Sequence, residues 1–173
     1  MEIFLEILKI SLPAVIVLIT AVLVLKSVLK KDMEIRKTEI VLQNQKIITP
    51  IRLQAYERML LFLERISPNN VIMRLQTPNM TIGELHREMV IIIRSEFEHN
   101  LSQQLYVSVE AWEKIKIAKE KTIQLLNLSL NELDPNDDAM IYSKLVFEKL
   151  IENPKSDLQV AIEFLKEEIH TLY

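Results

Sequence analysis

Two glutamate–histidine pairs carry the strongest hint of chemistry in this chain. Glu96 and His99 stand three residues apart, and so do Glu167 and His170. On a helix that spacing puts both side chains on one face. One such E-x-x-H on each of two helices is how di-iron and di-manganese carboxylate bundles hold their metals. A centre of that kind also needs an inward glutamate from each of two further helices. Glu57, Glu64, Glu113 and Glu148 are available by position alone. Glu96 falls within the Leu85, Met89, Ile92 stripe of its helix, whereas His99 lies at the edge of it. A di-metal carboxylate enzyme is therefore the alternative reading, and the leading expectation is no metal, no cofactor and no catalytic residue.

Other polar clusters suggest recognition more than reaction. Glu96, Glu98, His99, Asn100, Ser102, Gln103 and Gln104 follow the apolar segment Met89–Ile93 and lead to Tyr106. Amide and imidazole groups in such a run could pair with a partner. They could equally form a buried hydrogen-bond network that satisfies loop backbone near the turn at 106–108. Arg52, Arg58 and Arg65 alternate with Glu57 and Glu64, which reads as an ion-paired solvated face or a ligand for an acidic surface. Tyr56 and Trp112 suit aromatic packing in a core. The interaction candidates are thus Arg52, Tyr56, Arg58, Glu96, His99, Asn100, Gln103 and Gln104. In the run KIKIAKEK at 114–121, Lys114 and Lys121 share one face and Lys116 and Lys119 another, so the charge does not converge on a nucleic-acid groove.

Composition closes off several classes of function. The 173 residues include one glycine, Gly83, and no cysteine. A P-loop, a dinucleotide-binding turn or a nucleophile elbow needs more glycine than that. Disulfides, thiolate zinc sites and thiol nucleophiles need cysteine. The formal net charge is −3, against general nucleic-acid binding. Neither a nucleic-acid partner nor a small-molecule substrate is expected. Hydrophobic residues at 49% and charged residues at 26% describe a folded chain rather than a disordered one.

The elements that must position these residues read as all-α throughout. Residues 10–25, ISLPAVIVLITAVLVL, contain no charge, and the run from Ile3 to Leu29 is interrupted only by Glu6, Lys9 and Lys26. A bilayer core takes about 20 mostly apolar helical residues. Residues 1–29 therefore read as an uncleaved single-pass membrane anchor. Lys26, Lys30, Lys31, Arg36 and Lys37 after the run place the following residues in the cytoplasm and the N-terminus outside. Residues 30–48 read as a helical juxtamembrane stalk. Met33, Ile40 and Ile47 recur every seven residues there, but the matching second positions are polar, so self-contact is weak on this reading.

Residues 49–173 read as an antiparallel bundle of five to six helices. Thr49-Pro50 looks like a helix start, Ser67-Pro68 opens a short helix to Leu75, and Thr81 with Glu84 forms a capping box for a helix reaching Gln104. Ser108 caps a helix to Leu133, Asn136 or Asp137 opens another to Glu152, and Ser156 with Gln159 opens the last, ending near His170.

The stretch IRLQAYERMLLFLERI at 51–66, followed by EFEHNLSQQLYVS at 96–108 and Trp112, resembles an uncharacterised bacterial family. Its members are short proteins with one N-terminal membrane helix and a helical domain. The resemblance implies architecture and bacterial origin, and so a bacterial inner (cytoplasmic) membrane for the anchor, with no activity attached. Together these readings predict a non-enzymatic, membrane-anchored scaffold or adaptor. Its expected partners are the lipid bilayer and an unidentified protein, a second copy included. A stalk subunit of a membrane complex is a further alternative.

Overall fold

The computed structural model describes residues 1–172, with the side chains of Met1 and of residues 15–171. Six α-helices follow in order: α1 (Glu2–Ile66), α2 (Pro68–Leu75), α3 (Ile82–His99), α4 (Val109–Leu130), α5 (Ala139–Glu152) and α6 (Asp157–Leu172). A 3-10 turn, Leu101–Leu105, links α3 to α4. The expected all-α class holds, but the expected start at Thr49-Pro50 does not. The helix runs through both prolines, Pro13 and Pro50, as one 65-residue element. Pro50 has no N–H to give the carbonyl four residues back, so the helix there lacks one rung without ending. The chain divides at that same point into two compact units, Met1–Thr49 and Pro50–Tyr173.

In the first unit every residue from Val15 to Ile48 is exposed. Among the described residues no helix is long and apolar enough to cross a membrane. That overturns the transmembrane anchor at 1–29, and with it the single-pass topology, the orientation and the inner-membrane location. The described apolar run, Val15–Leu29, already contains Lys26 and ends against Lys30, Lys31 and Asp32. The rest of the apolar run, with the flanking Glu6 and Lys9, lies outside the described side chains.

The second unit is organised by its core. Along α1, Ala55, Tyr56, Met59, Phe62, Leu63 and Ile66 are buried at three- and four-residue steps, the stripe that a helix must turn inward. They meet Leu85, Met89 and Ile93 of α3, Ala111, Ile115, Ala118 and Leu126 of α4, Tyr142 and Val146 of α5, and Ala161, Ile162 and Leu165 of α6 in one cluster. The α4 helix packs against α3, α5 and α6, and so lies at the centre of the unit.

Capping follows the sequence closely at some ends and departs from it at others. The Thr81 hydroxyl accepts from Glu84 N, and the Glu84 carboxylate accepts from Thr81 N at 2.9 Å, a complete capping box. The Thr81 N–H and the Thr81 hydroxyl, both donating to this carboxylate, hold the Glu84 carboxyl below the usual carboxylate range. Ser108 accepts from Ala111 N at 3.0 Å and caps α4. Ser156 accepts from Gln159 N at 3.3 Å, but the Gln159 side chain reaches forward to Glu163, so that box is only half made. The α5 cap is Asp138, which accepts from Met140 N at 2.7 Å, rather than Asn136 or Asp137. Asp137 is occupied elsewhere: its carbonyl accepts from Ile82 N at 2.9 Å.

That last bond belongs to a seam between two loops. Ala139 N donates to Met80 O at 3.0 Å and Gly83 N to Pro135 O at 2.9 Å, tying the starts of α3 and α5 together. The only glycine stands at the tightest approach. A Cβ at Gly83 would sit 3.3 Å from the Pro135 carbonyl oxygen, so the close backbone contact accounts for its presence.

Candidate interaction surface

The sequence places Arg52 and Tyr56 far from residues 96–108, yet the fold joins them. Helix α1 from Pro50 onward lies beside the end of α3 and the 3-10 turn. Arg52 Nε donates to the Tyr106 carbonyl at 3.2 Å. The Tyr56 hydroxyl accepts from Ser108 N at 3.0 Å. Arg65 pairs with Glu96, whose side chain is largely covered. Two contacts thus clamp the α3–α4 connection onto α1 and a third ties the end of α3 to it, each linking residues more than 30 positions apart in sequence.

Within this face the predicted candidates divide by burial. Tyr56 has no exposed surface, and Gln103 is buried with its amide on the Ser102 hydroxyl at 3.3 Å. Both side chains lie in the packed interior rather than on the surface. Asn100 caps the end of α3 by donating to Glu96 O at 2.8 Å, and Arg52 and Glu96 are half-buried in the contacts above. Arg58, His99 and Gln104 are exposed. The polar run 96–104 is therefore mixed. Its inner members satisfy the turn, as buried polar groups generally must, and its outer members face solvent.

An aromatic ladder braces the same face from beneath. Phe62 of α1 meets Phe97 of α3 with centroids 5.9 Å apart, and Phe97 stacks on Trp112 of α4 at 5.4 Å. Lys119 lies over the Phe97 ring, 4.2 Å from its centroid, a cation held against the negative face of the ring. Lys114 sits similarly over Phe164 at 4.7 Å, while Lys116 pairs with Glu113. The four lysines of 114–121 point to different neighbours rather than to one ligand.

What sequence reasoning missed is apolar. Leu101, Leu105, Tyr106 and Val109 are all exposed around the 3-10 turn, Leu105 by 77% and Val109 by 82%. Leu101, Leu105 and Val109 follow one another at four-residue steps with Tyr106 beside them, which could have been read as one more buried stripe. The turn ends that periodicity, and the leucine, tyrosine and valine are left outward. The result is a small apolar patch rimmed by Arg52, Gln104 and Glu110.

The metal arrangement is not assembled. Glu96 is engaged by Arg65, and His99 and His170 are exposed. Among the described residues no group of three or more histidine, aspartate or glutamate side chains lies close enough to hold an ion. The remaining histidine, His86, meets Asn127 Oδ1 through Nε2 at 2.9 Å and links α3 to α4.

A cavity of about 470 Å³ opens elsewhere, between the start of α2, the middle of α4, the end of α5 and the start of α6. Leu125, Leu128, Leu150 and Leu158 line it together with Lys121 and Lys149. Lys149 is already paired with Glu132, Lys121 donates to Gln124 Oε1 at 3.2 Å, and Asp157 also lines the wall. The hydroxyls of Ser67, Thr122 and Ser156 also face it.

A family model described as a family of unknown function (DUF7935) matches residues 2–172. Neither a curated protein nor a solved structure matches the chain.

Proposed function

The chain belongs to this family of unknown function, so its role must be read from its own surface, and we propose a non-enzymatic protein-interaction module. The observation that carries this reading is the outward apolar patch of Leu101, Leu105, Tyr106 and Val109. It stands on a turn that three long-range contacts and an aromatic ladder hold in place. A preformed apolar centre with a polar rim of Arg52, Gln104 and Glu110 has the layout of a docking site for another protein. Arg58 and His99 lie on the same elements and would set its charge preference.

Site-specific photo-crosslinking tests the proposal. A photoreactive side chain at Leu105 should give one discrete adduct in cells. The same group at Glu148, on the exposed side of α5, should not. Replacing Val109 by Asp should suppress the Leu105 adduct with little change in melting temperature, since Val109 is exposed. No adduct at Leu105, or the same adducts at both positions, would refute it.

A further inference from the structure

From the pattern of exposed residues on α1 we infer that residues 15–48 pair in parallel with the same residues of a second copy. The proposal goes beyond the docking patch, which lies in the other compact unit, and either can fail without the other. Every residue from Val15 to Ile48 is exposed, although many are large and apolar. A left-handed coiled coil requires apolar residues alternately three and four apart, at the a and d positions of a heptad. Taking Met33, Ile40 and Ile47 as a positions puts Ile19 at a as well, with Lys26 between. The d positions then fall on Val15, Val22 and Leu29, followed by Arg36 and Gln43. The seam is therefore apolar at all but three of its positions across 15–47, and it is far more complete than Met33, Ile40 and Ile47 alone.

Three features select a second copy in parallel register. Polarity is graded along the helix: the flanking e and g positions are Ile16, Leu18, Leu23 and Leu25 in the first half and Lys30, Asp32, Lys37 and Glu39 in the second. Only parallel alignment sets the apolar half against an apolar half. In that register Asp32 at g faces Lys37 at e of the second copy, an attractive pair. A single charged a position such as Lys26 fixes register at some cost in affinity.

The area is sufficient. With about half of each side chain open, the seam and its flanks offer on the order of 900 Å² per chain. A standard protein–protein interface buries about 800 Å² per partner.

The absence of cysteine makes the test direct. In the full chain, Leu29→Cys and Ile40→Cys occupy d and a, while Thr38→Cys lies on the opposite face. The seam variants should oxidise to covalent dimers in large excess over the Thr38 variant. Sedimentation equilibrium of the unmodified chain should give twice its 20.3 kDa mass. Ile40→Asp combined with Met33→Asp should return it to the single mass, with the helical signal of the second unit retained. Equal oxidation at all three positions, no oxidation at any, or a single-chain mass would overturn the proposal. So would a different protein or bound amphiphile occupying the helix in place of the second copy.

Discussion

Replacing Tyr56 by Phe removes one oxygen atom and nothing else from the clamp between α1 and the α3–α4 connection. The ring is fully buried and keeps its packing, so no cavity term arises. The lost oxygen accepts the Ser108 N–H at 3.0 Å. Ser108 is the N-cap of α4: its hydroxyl serves Ala111 N and its carbonyl serves Trp112 N. Its own N–H has Tyr56 as partner and lies in half-buried surroundings. Leaving a buried donor unmade costs about 1–3 kcal/mol, and partial access of water puts this case near 1.5 kcal/mol. At an m-value of about 2 kcal/mol/M the urea midpoint should fall by roughly 0.7 M with m unchanged. Circular dichroism measures the midpoint, and amide exchange should show Ser108 losing protection. A midpoint shift below about 0.2 M, or a Ser108 amide as protected as before, would refute the reasoning.

Two further predictions concern the same unit. Tyr142 is buried, its hydroxyl donates to the Leu126 carbonyl at 2.9 Å, and burial pushes its phenol well above the ordinary value of 10.0. Above pH 10 the unfolded chain releases this proton while the folded chain keeps it. Stability should therefore be intact below pH 10 and fall by up to about 1.4 kcal/mol per pH unit above it. Tyr142→Phe should remove that slope in urea titrations between pH 8 and pH 11, and at pH 7 it should cost about 1 kcal/mol, because Leu126 retains its helical bond. An unchanged alkaline slope would count against it. Asn79 holds φ at 66° in the Thr77–Met80 turn, a left-handed conformation that asparagine tolerates and β-branched residues resist. Asn79→Val should lower stability by about 1–2 kcal/mol and Asn79→Gly by nearly nothing, as calorimetry would show; equal effects would mean that the turn relaxes.

Local signals in the sequence located most of the helices of the second unit. The Thr81–Glu84 box and Ser108 act through bonds within three residues, and Pro68 through its fixed φ at the first helical position, so their meaning survives without tertiary context. The Thr49-Pro50 start failed because proline is tolerated wherever one missing rung is outweighed, and helix continues on both sides of it. The N-cap Asp138 could not be told from Asn136 or Asp137. The choice among three adjacent cap formers rests on the Asp137 carbonyl meeting Ile82, 55 positions earlier in the chain.

The residue sequence alone determined the all-α class, the stripes that turn inward and the exclusion of chemistries that need glycine turns or cysteine. Those properties depend on composition and on periods of a few residues. Only the tertiary structure decided which side chains meet. It drew Arg52 and Tyr56 to residues 106 and 108, engaged Glu96 with Arg65 and left Leu105 and Val109 outside. Contacts between distant residues depend on how helices cross and where a turn interrupts a stripe, and neither is encoded in any short window of the chain.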